Sequence, residues 1–394
     1  MLNPHFTALN QAYIFPLIEK KLEELKSTSP EAQIINLGIG DVALPLAPSL
    51  AKAIGTAALE MATLEGLRGY ASSNGYDFLR NAIHKHTFAH LRIDKEAIFI
   101  SDGINSDVLN ILDLFDLANE IGIPNPTYPA YLNSSILRGH HSIVELPCLE
   151  ENQFTPLPPK KRCRLIYLCS PSNPTGVAMT RQHLERWVDY ALEQEALILF
   201  DAAYEAFITS RDVPKSIFEI EGAKECAIEF HSFSKSAGFT GLRCGYTVLP
   251  HTLKVNLHGE KKSLLPFWER RQSIKSNGVA YPIQRAAEAV YSKEGHQETK
   301  AQVATYLAQG ARLKKQLISL GLTCYGGTDS PYIWVKNPDK KSSWEFFESL
   351  LKNTHILSIP GCGFGSLGEG FIRLSTFTTP EKMTLALERL RLYT

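Results

Sequence analysis

The stretch of the chain richest in reactive side chains is Ser232-Phe233-Ser234-Lys235, with Gly238, Gly241 and Arg243 close behind. Two hydroxyls, an amine and a guanidinium at this spacing can share one phosphate-bearing ligand. A lysine in a loop is usually only solvated, so Lys235 gains meaning from what else the chain offers. Asp201-Ala202-Ala203-Tyr204 follows the apolar run Ala196 to Phe200. A carboxylate at the end of such a run is costly to desolvate unless it meets a cation or a protonated ring nitrogen. In Ser170-Pro171-Ser172-Asn173-Pro174-Thr175-Gly176, two prolines and a glycine specify an irregular turn from which the Asn173 amide can donate. Asn125-Pro126-Thr127-Tyr128-Pro129 leaves Tyr128 to stack on a planar ligand or to pack on its own loop. Ser101-Asp102-Gly103 opens a helix, where free backbone N–H groups suit a phosphate or an ordinary capped start.

These residues need strands that end at one edge. Ala97 to Ile100, Leu165 to Cys169, Ala196 to Phe200, Ala227 to Phe230 and Gly245 to Leu249 read as buried strands. Between them, a helix after Gly103 puts Ile104, Val108, Ile111, Leu112 and Phe115 on one face. Another after Thr180 turns Leu184, Trp187, Val188 and Ala191 inward. Such alternation implies an α/β fold, with a mostly parallel central sheet and helices on both faces, whose ligands bind beyond the carboxyl ends of the strands. The last third differs: a long helical stretch from Ile283 to Leu320, a strand Tyr332 to Val335, a helix Trp344 to Leu351, the apolar run Ile356 to Ile359, and a closing helix. Thr379 caps that helix, Pro380 stands in its first turn, and Met383, Leu387 and Leu390 form its core face. This predicts a large domain over 45–282 and a smaller α+β domain from 1–44 with 283–394.

Composition narrows the function classes. The chain has 394 residues, 44% of them hydrophobic, and 41 basic side chains against 41 acidic ones. That length predicts two or three domains at roughly 100–200 residues each, and the charge balance argues against a nucleic-acid surface. No apolar run approaches the roughly 20 residues of a membrane span, and no secretory signal is evident. The seven cysteines form no Cys-x-x-Cys pair, so reduced thiols in the cytoplasm are expected. His84, His86 and His90 lack a carboxylate at ligand spacing and read as a solvated helix face, with no metal expected. Gly361-x-Gly363-x-Gly365 lacks the helix and acidic residue of a dinucleotide site and reads as a loop ahead of Arg373.

Taken in order, Tyr128, Asn173-Pro174-Thr175-Gly176, Asp201-x-x-Tyr204, Ser232-x-Ser234-Lys235, Arg243 and Phe371-Ile372-Arg373-Leu374-Ser375 resemble the fold-type I pyridoxal-phosphate aminotransferases over nearly the whole chain. The resemblance implies pyridoxal 5'-phosphate as cofactor. Lys235 would be the catalytic amine that carries it and moves the α-proton, and Asp201 would keep the ring nitrogen protonated. Tyr204 and Asn173 would hold the ring oxygen, and Tyr128 would stack on the ring. The phosphate would sit on the backbone at Ile104 and Asn105, with Ser232, Phe233, Ser234 and Arg243 completing its cradle and Tyr70 reaching in from a second subunit. Arg373 would grip the substrate α-carboxylate as a two-pronged fork. A homodimer acting on amino acids and 2-oxo acids follows.

Within that family the chain is similar to the LL-diaminopimelate aminotransferases. The likeness is carried by Tyr13-Ile14-Phe15, Ile35 to Val42 with Pro45 to Pro48, Gly75 to Arg80, Gly238-Phe239-Thr240-Gly241 and Ser276-Asn277-Gly278. It implies that Tyr13, Gly40, Asn105, Tyr128, Asn173, Asn277 and Arg373 line the substrate site. The reaction implied joins LL-2,6-diaminopimelate and 2-oxoglutarate to tetrahydrodipicolinate and glutamate, run in reverse for biosynthesis. Two departures stand out: Ile104-Asn105 and Ser73 occupy positions that usually carry charge. Neutral residues there predict a looser substrate range. An aminotransferase for aromatic or aliphatic amino acids, or a carbon–sulfur lyase, would share the cofactor residues. A non-catalytic regulator would need a DNA-reading module ahead of Gly40, where little chain is left.

Overall fold

The computed structural model describes residues 2–9, 14–339 and 341–393. Its largest sheet has seven strands in the order Ile98–Ser101, Gly245–Val248, Ala227–Ser232, Leu197–Asp201, Leu165–Cys169, Ile121–Asn125 and Ile143–Pro147. All are parallel except Gly245–Val248, which runs against both its neighbours. Alternation along each strand feeds two cores. Ile198 and Phe200 join Ile166 and Leu168 on one face, with Leu184, Trp187 and Val188 of the helix Arg181–Gln194. Leu197 and Leu199 join Tyr167, Tyr131 and Val108 on the other. The expected central α/β layering therefore holds.

Two of its strands were not anticipated. Gly122 and Pro124 break the β-forming character of Ile121–Asn125, yet Gly122 is where the backbone passes Cys163: a Cβ there would stand 3.2 Å from the sulfur. Ile143–Pro147 alternates buried and exposed residues as an edge strand does. The helix after Gly103 stops at Asn110 and tightens into a 3-10 turn over Ile111–Leu114. The stretch expected as one helix from Ile283 is two, Tyr281–Ala289 and Lys293–Ser319, because the Ser292 hydroxyl accepts from Gly295 N and starts a new helix.

A second sheet, Cys324–Gly326, Tyr332–Lys336, Phe371–Ser375 and Ile359–Pro360, is antiparallel throughout. It packs with the helices Ser343–Thr354 and Pro380–Arg391 around a third core that includes Trp334, Phe347 and Met383. The segment Ile35–Asn36 lies parallel to Ile356–Leu357, and Leu37 O then accepts from Ser375 N at 2.6 Å. The chain thus passes from the second sheet toward the carboxyl edge of the first. All seven cysteines are unpaired and five are buried. Among the described residues, no helix is long and apolar enough to cross a membrane, and no His/Cys/Asp/Glu cluster could hold a metal ion.

Trp187 is fully buried and its indole N–H donates to Pro156 O at 3.0 Å. Trp187→Ala should cost about 3–5 kcal/mol, seen as a lower urea midpoint with the slope unchanged. A midpoint within error of the parent protein would show that the core on that face is not cooperative with the rest.

Candidate active site

The carboxyl ends of the central strands and the second sheet enclose a cavity of about 870 Å³. Gly40, Ile104, Asn105, Tyr128, Asn173, Asp201, Tyr204, Ser232, Ser234, Lys235, Arg243 and Arg373 all line it. Residues from seven stretches of the chain therefore meet in one space. Gly361–Phe364 is a 3-10 turn on the cavity wall, consistent with a loop ahead of the Arg373 strand.

Lys235 lies in the short helix Phe233–Ser236, which Ser232 caps by accepting from Ser234 N at 3.1 Å. Its amine donates to Gly40 O at 2.5 Å. Burial first, then the charges of Arg373 and Arg243, lower its pKa to about 8 against the opposing charge of Asp41. Asp201, 6% exposed, ends its strand and accepts from Tyr131 Oη at 2.5 Å and from Ala203 N at 2.9 Å. Burial raises its pKa, which the Tyr131 and Ala203 hydrogen bonds and the charge of His231 resist. Among the described residues no cation pairs with it.

Arg373, 5% exposed, has its guanidinium held on three sides. Nη1 donates to Asn173 Oδ1 at 2.6 Å, Nη2 donates to Gly38 O at 2.7 Å, and the plane lies 4.4 Å from the Tyr332 ring centre and 4.7 Å from that of Phe364. Its Nε has no hydrogen-bond partner. A buried guanidinium with neutral partners and an unused N–H is built for an incoming carboxylate. Asn173 spends its oxygen on Arg373, which leaves its NH₂ for the cavity. Tyr128 donates to Asn105 Oδ1 at 3.0 Å, and its ring meets Tyr131 edge-on at 5.7 Å. At the far wall the Arg243 guanidinium lies against Gly103: a Cβ at 103 would stand 2.7 Å from Arg243 Nη2. Gly103 has φ +123°, so glycine is required both for the turn and for this approach.

Three expected residues do not line the cavity. Phe233 turns its ring into the core against Phe239 and Tyr246, so it anchors the serines that flank it. Tyr70 is 89% exposed, and Asn277 is exposed as well. Tyr13 lies outside the described residues. Tyr131, Asp41 and Tyr332 line the cavity unannounced. Tyr131 was legible only as a core aromatic, and nothing in its local sequence signals the bond to Asp201.

The fold and the site define a class. The chain belongs to the class I and II aminotransferases, whose family model matches residues 32–390. Across the whole chain it is similar to two curated enzymes, the LL-diaminopimelate aminotransferases of Bacteroides thetaiotaomicron (45% identical, 99% of both chains covered) and Prochlorococcus marinus (44% identical, 99% of this chain and 98% of that one). Among solved structures, L,L-diaminopimelate aminotransferase from Chlamydomonas reinhardtii matches with TM-score 0.94 and 36% identity, covering 100% of this chain and 99% of that one. Substrate-bound BacF from Bacillus subtilis matches with TM-score 0.84 and 25% identity over 100% of this chain and 98% of its own.

The protein is an aminotransferase that uses pyridoxal 5'-phosphate, and the cavity fits that group. It offers a buried carboxylate with no cation partner among the described residues, a partly neutralised lysine, and an arginine pressed against a glycine turn. A pKa near 8 makes the Lys235 amine reactive above that pH. Uptake of pyridoxal 5'-phosphate by the apoprotein, followed by absorbance, should therefore accelerate with pH through a midpoint about 8. A midpoint at the ordinary lysine value would remove burial as the activating influence.

Proposed function

We propose that the protein transfers an amino group between LL-2,6-diaminopimelate and 2-oxoglutarate, giving tetrahydrodipicolinate and L-glutamate, with the reverse direction serving biosynthesis. The observation that carries this is the full-length similarity, at 44–45% identity, to two enzymes of that name. It coincides with a cavity holding one lysine of lowered pKa and one buried arginine that has no acidic partner among the described residues.

Bound in this cavity, the cofactor supplies an aldehyde that takes up amines and an electron-poor ring that accommodates charge at the substrate's α-carbon. Lys235 Nζ removes the α-proton and returns it at the other end of the transfer. Asp201 would meet the ring nitrogen, its ionised form supported by Tyr131 and Ala203 N. Tyr204 and Asn173 serve the ring oxygen, Tyr128 the ring face, and Ser232, Ser234, Arg243 and the backbone at Ile104 and Asn105 the phosphate. Arg373 orients the α-carboxylate. Gly40 and Asn105 belong to the substrate wall, and Tyr13 and Asn277 are assigned to it on the family resemblance alone, Asn277 standing outside this chain's own cavity. We assign 45–282 to the cofactor-bearing domain and 1–44 with 283–394 to the smaller one; the cores follow this division except that Ala286 and Ala287 pack into the core of the large domain and Cys148 and Phe154 into that of the smaller one. The unpaired cysteines support a cytoplasmic enzyme.

The neutral Asn105, together with Leu17, Trp344 and Phe364 on the cavity wall, favours a range wider than diaminopimelate. Mixing holoenzyme with LL-diaminopimelate should bleach its long-wavelength absorbance, with slower bleaching by some other amino acids. Lys235→Ala should neither bleach nor turn over. Refusal of every donor but LL-diaminopimelate and glutamate would refute the wider range, and refusal of LL-diaminopimelate would refute the assignment itself.

Tyr70 is too exposed to act in its own chain, which supports its insertion into the site of a second copy. Mixing inactive Tyr70→Ala and Lys235→Ala proteins under subunit exchange should restore about a quarter of native activity, because half the dimers would carry one intact site of two. No recovery would place Tyr70 elsewhere.

A further inference from the structure

Tyr332 opens the strand Tyr332–Lys336, is 1% exposed, and touches more of the site than any role assigned above accounts for. Its hydroxyl lies 2.9 Å from that of Tyr204. Its ring face carries the Arg373 guanidinium at 4.4 Å, because Tyr332 pairs with Ser375 and so stands diagonally across from Arg373 on the same side of the sheet. Gly40, whose carbonyl accepts from Lys235, comes so close that a Cβ would meet Tyr332 Oη at 2.2 Å. Gly176, closing the Asn173 turn, packs on Tyr332 O with equal tightness: a Cβ would stand 2.1 Å away.

We propose that Tyr332 is a positioning residue with two separable functions: its hydroxyl donates to Tyr204, and its ring seats Arg373. With one proton on each oxygen, a Tyr332 that donates leaves Tyr204 to spend its own proton on an acceptor in the cavity. The ring fixes the guanidinium plane, while Asn173 and Gly38 hold its two terminal nitrogens and Nε is left without a partner. One side chain therefore couples the phenol that serves the cofactor to the cation that serves the substrate. This rests on the roles given above for Tyr204 and Arg373 but not on which amino donor is used.

The two functions come apart by substitution. In the holoenzyme, Tyr332→Phe should raise the pH midpoint of the long-wavelength absorbance by about half a unit or more, since Tyr204 without that donor gives a weaker hydrogen bond into the cavity. The same variant should leave the affinity for glutarate, an unreactive dicarboxylate, within about twofold. Tyr332→Leu should weaken glutarate roughly tenfold by removing the ring beneath Arg373. In a Tyr204→Phe background, Tyr332→Phe should add no further shift in the midpoint. A midpoint unmoved by Tyr332→Phe, or an additive shift in the double variant, would overturn the hydroxyl's function. Glutarate binding lost in Tyr332→Phe would overturn the separation of the two. A parent protein that takes up no cofactor would instead overturn the functional reading, whatever Tyr332 does.

Discussion

Taking charges out of water governs this cavity. Lys235, Asp201 and Arg373 are all turned into it, and an isolated buried ion costs on the order of several kcal/mol even after relaxation. Each is treated differently. Lys235 gives up part of its charge, Asp201 is steadied by a phenol and a backbone amide, and Arg373 cannot neutralise and is enclosed by two oxygens and two aromatic faces. None is paired with another as a salt bridge, although the carboxylate and both cations line the same space. Joining Asp201 to either cation would relieve the desolvation but would consume the groups a ligand needs. The architecture keeps them apart by mounting Asp201 and Lys235 at the ends of neighbouring parallel strands and Arg373 on a different sheet.

That separation explains the path of residues 35–41. The segment pairs with Ile356–Leu357, passes Leu37 O to Ser375, Gly38 O to Arg373 and Gly40 O to Lys235. Two alternate carbonyls of one run, Gly38 O and Gly40 O, serve the two cations, and Asp41 beside them acts on Lys235 through its charge. Main-chain oxygens suit this task because they accept strongly and cannot titrate.

Most of the site was legible in the sequence because its residues sit where strand patterns end. Asp201 and Ser232 follow apolar runs and Asn173 lies in a turn rich in proline and glycine, whereas Arg373 was marked by the family resemblance. What escaped were groups whose function is set across the fold. Tyr131 and Tyr332 look like ordinary core aromatics, and only tertiary packing brings their hydroxyls to Asp201 and Tyr204. Tyr70 was picked out by likeness, and its exposure gives no role within one chain. The strand Ile121–Asn125 was hidden for a simpler reason: Gly122 and Pro124 interrupt the pattern, and Gly122 packs closely on Cys163. The break at Ser292 was missed because helical periodicity continues through it, and a cap is visible only once the chain turns.

The glycines at 40, 103 and 176 carry a different sort of consequence. At each, the space for a Cβ is already taken, by Tyr332 Oη, by Arg243 Nη2 and by Tyr332 O respectively. For anyone re-engineering this enzyme, these positions form a frozen frame: even alanine would have to displace a functional side chain or the main chain beneath it. The wall formed by Leu17 and Trp344 lies outside this frame. Mutational freedom is thus distributed unevenly around one cavity, rigid where the cofactor and α-carboxylate are gripped and open where the rest of a substrate would extend. A library aimed at new amino donors should be drawn from the second region alone.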